Sequence, residues 1–420
     1  MQILIRQAQL IDPQGPFHGS KQDILISDGI IEGIGKFPKG KAEQIIEGEG
    51  ICVSPGWMDV FAHFCDPGTE YKEDLFSGQA AAARGGFTAV MILPDTRPPL
   101  QSKAEIEYIR GKAAGGIVDI YPIGALSLGL EGNLLAEMYD MRKSGAIAFS
   151  NGLNPIQSSG ILLKALQYVK AFDGVIIQVP EDRSVSRYGL MNEGIASTRI
   201  GMPGKPAIAE ELMIRRDLEL AKYAGSRIHF TGVSTEGSVA LIRQAKSEGI
   251  RVTASVTPYH LCLTDASLST YDTRLKVNPP LRTAGDVEAL KEGLADGTID
   301  CVASHHIPQD ADSKEVEFEY AKEGMIGLET CFSLMHEALD RMSLEAQVSL
   351  LSQNPRRIFG LEPLHIQERE QANLTIFNPD LSWTFQKEDI RSRSRNTPFT
   401  GKSMKGKVIG VLNQGKVALH

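Results

Sequence analysis

Through the middle of the chain, short apolar runs alternate with amphipathic helical stretches, and this alternation narrows the fold more than any other feature. The runs are Trp57–Ala62, Phe87–Leu93, Ile117–Ala125, Ala146–Phe149, Val175–Gln178, Arg227–Phe230, Val252–Val256 and Asp300–Ser304. The helical stretches between them are Leu75–Arg84, Lys103–Ala114, Leu134–Lys143, Ile161–Ala171, Ala207–Tyr223, Glu236–Glu248 and Asp286–Leu294. A near-continuous apolar strand is buried on both faces, as in a parallel sheet covered by helices. Eight such units fit a (β/α)8 barrel, whose usual size is about 250 residues. A doubly wound open sheet competes, but no G-x-G-x-x-G opens the first unit, so a dinucleotide fold is disfavoured.

The two ends of the chain have a different pattern. Asp23–Ser27 and Ile30–Ile34 flank Asp28-Gly29, a strong two-residue hairpin signal. After the helical Ile326–Leu339 and Leu344–Ser352, short strands return at Ala372–Phe377 and Lys407–Leu412. The closing Asn413-Gln-Gly-Lys416 resembles the first hairpin. Residues 1–54 and 366–420 are therefore expected to pair as a small β-sandwich beside a barrel over 55–365.

Composition excludes several partners. The 420 residues carry a net charge of −8, and the isoelectric point is about 5.7. That balance gives no footprint for nucleic acid, and the basic clusters Arg215-Arg216 and Arg391–Arg395 are short enough to read as solvated faces. No run approaches the roughly 18 apolar residues of a membrane span, and the first residues read as a strand rather than a signal peptide. Five widely spaced cysteines with no C-x-x-C suggest reduced thiols and a cytoplasmic location.

In a barrel of this kind, function sits at the C-terminal ends of the strands. Those ends carry His63 and Cys65, Pro94–Arg97, Ser150–Gly152, Val179–Asp182, Thr231–Ser234, Pro258–His260 and Ser304–His306. Ser150, Ser234 and Ser304 could serve as nucleophiles beside a His base, although no spacing selects one of them.

Motifs along nearly the whole chain resemble dihydroorotase of the bacterial type that associates with aspartate transcarbamoylase, within the amidohydrolase superfamily. They are Pro55-Gly56 leading into the first strand, Ala82–Val90, Leu93–Pro98, Met191–Gly194, Val256–Leu261, Lys276–Arg282, Gly324 and Gly327 around Met325-Ile326, and Asn396–Gly401. The resemblance implies one or two Zn²⁺ ions at the barrel mouth, lowering the pKa of a bound water and polarising a scissile carbonyl. It implies as ligands a His-x-His pair, an Asp after strand four, His residues after strands five and six, and an Asp after strand eight. An Arg beyond the pair and an Asn after strand two would hold the substrate carboxylate.

Carried over by position, those roles fall on Phe61 and His63, Asn151, Val179, Gly232 and His305. The substrate Arg becomes Cys65 and the substrate Asn becomes Asp95, while Asn278 is retained. His63 and His305, with Cys65 or His306, are the remaining candidates for a mononuclear metal site; Asn278 and Asp95 are the candidate substrate contacts. No cofactor is expected. The sequence points to a catalytically silent dihydroorotase homologue with a structural role, forming a homo-oligomer and partnering aspartate transcarbamoylase, as some members of the family do. The alternatives are an active dihydroorotase or related cyclic-amide hydrolase with an altered mononuclear or metal-free site, and a binding module that uses the mouth without chemistry.

Overall fold

The computed structural model describes residues 1–420, the side chain of Lys41 excepted. Eight parallel strands form the central sheet in sequence order: Trp57–Ala62, Phe87–Ile92, Asp119–Ala125, Ala148–Ser150, Val175–Gln178, Arg227–Thr231, Val252–Val256 and Cys301–Val302. The first and eighth strands approach each other and nearly close the ring. Ala62 bridges His306 in parallel, and the His63 amide donates to the His306 carbonyl at 2.8 Å. Beneath this seam, the buried Asp59 carboxylate accepts from the Ser304 amide at 2.6 Å and the Ser304 hydroxyl at 2.8 Å. The expected barrel is therefore present.

Apolar runs become strands here because helices cover their outer faces. Ile106 and Ile109 of helix Lys103–Ala113, Leu162 and Leu166 of Ser159–Val169, and Val239 and Ile242 of Glu236–Ser247 join one core with the strand residues Val90, Ile176, Phe230 and Ala254. Two helices begin later than their periodicity suggests. Leu134 accepts a turn hydrogen bond from the Leu128 amide, so that helix starts at Met138. Met325 and Gly327 are drawn onto the barrel rim by Ile307 and His306, which delays the next helix to Cys331.

The sandwich expected of the terminal segments is realised as one eight-stranded mixed sheet. Cys52–Pro55 lies at its centre, between Gln2–Leu10 on one side and Leu374–Thr384 on the other. Both hairpins form where the turn residues indicated. Asp28 and Gly29 take φ 48° and 82°, and Gln414 and Gly415 take 52° and 68°, the left-handed pair of a type I′ turn.

Trp57, at the start of the first barrel strand, joins the two units. It is fully buried against Phe87, Phe332 and Phe377, and its indole N–H donates to Ser54 Oγ at 2.9 Å. Replacing Trp57 with Ala is expected to cost about 3–5 kcal/mol by chemical denaturation, the range for a buried aromatic that leaves a cavity.

Candidate functional site

The strand ends bring His63, Cys65, Asp95, Asn151, Gly232 and His305 to the barrel mouth, and each polar group among them is held by protein neighbours. An imidazole can ligate a metal only through a nitrogen that carries a free lone pair. His63 has none. Its Nδ1 accepts from the Cys65 amide at 2.8 Å, so Nε2 carries the proton and donates to the Asp95 carbonyl at 3.0 Å. Burial pushes its pKa down to about 4, keeping the ring neutral.

His305 is packed differently. It sits at φ 43°, with its ring face 4.5 Å from that of Phe61. Nε2 pairs with Thr231 Oγ at 2.8 Å, and this contact continues through Ser255 and His229 to Thr253 along the barrel interior. Gly232 makes room for the ring: at φ 71°, a Cβ there would lie 2.7 Å from His305 Cε1. The buried Nδ1 of His305 has no hydrogen-bond partner and retains a lone pair.

That single nitrogen falls short of the three or four donors that zinc takes. Among the described residues, no group of three or more His, Cys, Asp or Glu side chains is placed to hold a metal. Cys65 is buried, and its thiol is pushed up to about 12, first by burial and then by Glu73. Asn151 exchanges hydrogen bonds with Ser127, through Nδ2 to Oγ at 2.7 Å and through Oδ1 from the amide at 3.0 Å. Val179 is buried among apolar side chains. The residues present therefore do not fit the zinc centre that the fold implies.

The other histidines at the strand ends, His306 and His260, are also engaged. His306 Nδ1 accepts from the Gly327 amide at 3.2 Å, and Nε2 lies 3.2 Å from the buried Glu73 carboxylate, which also holds Ser392. His260 Nε2 donates to the Pro280 carbonyl, and its Nδ1 meets the Thr257 hydroxyl. The three serines lack a histidine base. Ser150 accepts from the Gly152 amide, Ser234 pairs with Glu210 and Arg282, and Ser304 pairs with Asp59.

Asp95 ties one mouth loop to another. Its carboxylate accepts from the Leu153 amide at 3.0 Å and from Asn154 Nδ2 at 3.3 Å, and burial pushes its pKa up to about 7. A Cβ at Gly152, where φ is 58°, would fall on that carboxylate. Asn278 lines a cavity of about 270 Å³ together with Glu181, Arg183, Arg187, Lys205 and Glu323. Neither His63, His305 nor Asp95 reaches that cavity.

Sequence reasoning passed over Lys205 and Glu323. Lys205 is 8% exposed, and its ammonium meets Asn278 Oδ1 at 2.9 Å, Glu181 at 3.0 Å and Glu323 at 3.0 Å. Glu181 also accepts from Ser186 at 2.7 Å and Asn278 Nδ2 at 3.0 Å. Burial raises the Glu181 pKa, but these partners outweigh it and hold the carboxyl below its ordinary value. The only signal in the sequence was the pair Glu181-Asp182 at a strand end.

Comparison with known proteins agrees with this architecture. Residues 50–238 match the family described as dihydro-orotase-like. The chain is 42% identical over 424 residues to a dihydroorotase of Pelotomaculum thermopropionicum, covering 100% of this chain and 99% of that one. It is also 42% identical over 421 residues to a dihydroorotase of Caldanaerobacter subterraneus subsp. tengcongensis, covering 99% and 97%. Among solved structures, an L-hydantoinase (dihydropyrimidinase) from Arthrobacter aurescens superposes with a TM-score of 0.85 at 25% identity, covering 100% of this chain and 96% of that one. With a barrel, a terminal sheet and full-length similarity all in agreement, the chain belongs to the dihydroorotase family of the amidohydrolase superfamily.

Proposed function

We propose that this protein is a dihydroorotase homologue of pyrimidine biosynthesis that does not carry out zinc-dependent hydrolysis and acts as a structural partner, with aspartate transcarbamoylase as the expected companion. The observation that supports this reading is the state of His63, whose two ring nitrogens are both engaged by backbone groups. Phe61 and Gly232 strengthen it, because they pack around His305 instead of adding donors. The partner rests on the family resemblance alone.

A second reading is a cyclic-amide hydrolase with an altered mononuclear or metal-free site. The full-length identity to chains called dihydroorotase favours it, as does the charged cavity around Asn278. Metal analysis and turnover separate the two readings. Protein purified without chelators is expected to hold zinc far below one ion per chain and to leave dihydroorotate unhydrolysed. Near-stoichiometric zinc together with turnover abolished by His63→Ala would overturn the first reading. On that reading, His63→Ala costs about 2 kcal/mol of stability, from two buried hydrogen bonds, and changes neither zinc content nor turnover. Co-migration with aspartate transcarbamoylase in size-exclusion chromatography with light scattering is the expected partner result; separate elution would remove that assignment.

The interior histidines predict a response to acid. Burial holds His63 and His260 down to about 4, and His229 and His305 to about 3, from the ordinary 6.5. In that window the unfolded chain binds protons at these rings that the folded chain refuses, so the histidines' contribution to stability, present above pH 6.5, is lost as pH falls towards 4, while buried Asp95 and Asp217, pushed up to about 7 and 6, act in the opposite sense. Across this range the urea midpoint of His229→Gln is expected to gain on that of the parent as pH falls, because the variant lacks one such ring, and both are expected to be identical with and without a chelator.

A further inference from the structure

Most of the barrel interior is apolar: one cluster draws Val60, Met91, Ile123, Ile177 and Cys301 from five of the strands. Two neighbouring strands depart from this. Arg227–Thr231 and Val252–Val256 run parallel and in register, with His229 beside Thr253 and Thr231 beside Ser255. Residues two apart in a strand share a face, so these four polar side chains line one track. His229 Nδ1 is 2.9 Å from Thr253 Oγ and its Nε2 is 3.1 Å from Ser255 Oγ. Ser255 Oγ is 2.9 Å from Thr231 Oγ, which is 2.8 Å from His305 Nε2. The file is unbroken. Its inner members are buried, whereas Thr253, near the start of its strand and so at the floor opposite the mouth, is half-buried.

A neutral imidazole donates through one nitrogen and accepts through the other, and a hydroxyl does both. Burial keeps both rings neutral, holding each down to about 3. Such a file points one way at a time. With a lone pair on His305 Nδ1, its Nε2–H donates to Thr231, Thr231 to Ser255, Ser255 to His229 Nε2, and His229 Nδ1–H to Thr253. Turning one member round turns all of them, because two donors or two acceptors facing each other in a dry interior are costly.

We propose that this file is a proton relay between floor and mouth, in which His229 and His305 change tautomer together. In the step, water at the mouth gives a proton to His305 Nδ1. The Nε2 proton passes to Thr231, the Thr231 proton to Ser255, the Ser255 proton to His229 Nε2, and the His229 Nδ1 proton to Thr253, whose own proton leaves to water at the floor. One proton enters and one departs. The resting direction is the one that spares His305 an unpaired Nδ1–H.

The test is nitrogen NMR of the full chain labelled in its histidine rings, with signals assigned from His229→Gln and His305→Gln. The parent is expected to carry its protons on His305 Nε2 and His229 Nδ1. Thr253→Val removes the acceptor at the floor, so each direction then leaves one N–H unpaired and the two become comparable in cost. The His305 nitrogens are therefore expected to shift towards the opposite tautomer, although the change lies at the other end of the barrel. Thr253→Ser keeps the hydroxyl and is expected to give the parent signals. Adding Ser255→Ala to Thr253→Val cuts the file and is expected to return His305 to the parent tautomer. If that double variant does not fold, the comparison of Val with Ser at half-buried position 253 still decides. His305 nitrogens unmoved in Thr253→Val, moved equally in Thr253→Ser, or still shifted after Ser255→Ala overturn the proposal.

Discussion

The barrel depends on the seam between its first and last strands. A parallel ring has no covalent closure, so the pairing of Ala62 with His306 and the Asp59–Ser304 contacts must hold it. Asp59 is buried and its pKa is raised by burial, although its hydrogen bonds oppose that rise. A carboxyl in that position tolerates dehydration because both of its oxygens have donors. Everything at the mouth is referred to this seam: His63 follows the first strand directly, and His305 and His306 follow the last.

The interior imidazoles show how a polar site becomes self-sufficient. Each ring brings one proton and, when neutral, one lone pair, and at His63 and His260 the fold supplies a partner for both. The same economy governs Asn151, Asn278 and Lys205. Such networks are stable in a low-dielectric interior because no member is left unsatisfied. His305 Nδ1 is the exception at the mouth.

Much of this was legible in the sequence, for physical reasons. Strands buried on both faces leave long apolar runs, and a left-handed turn needs residues such as Asp28-Gly29, so barrel and hairpins could both be read directly. The starts of the helices at Met138 and Cys331 could not, because distant loop contacts pull Leu134 and Met325 away from helical geometry. At the mouth, Phe61 and Gly232 could be seen to lack donor atoms. That the backbone takes both nitrogens of His63 could not be seen, since the Asp95 carbonyl exists at any residue type. Lys205 and Glu323 escaped notice because their partners come from four separate parts of the chain, which only the folded topology brings together.

The packing of Phe61, His305 and Gly232 has a consequence for substitution. A side chain larger than hydrogen at position 232 collides with the His305 ring, and that ring leans on Phe61. Position 232 can therefore take a larger residue only when the ring at 305 is shortened or moved, and a shorter residue at 305 leaves Phe61 without its stacking partner. The three positions form one coupled unit, whose substitutions are not additive.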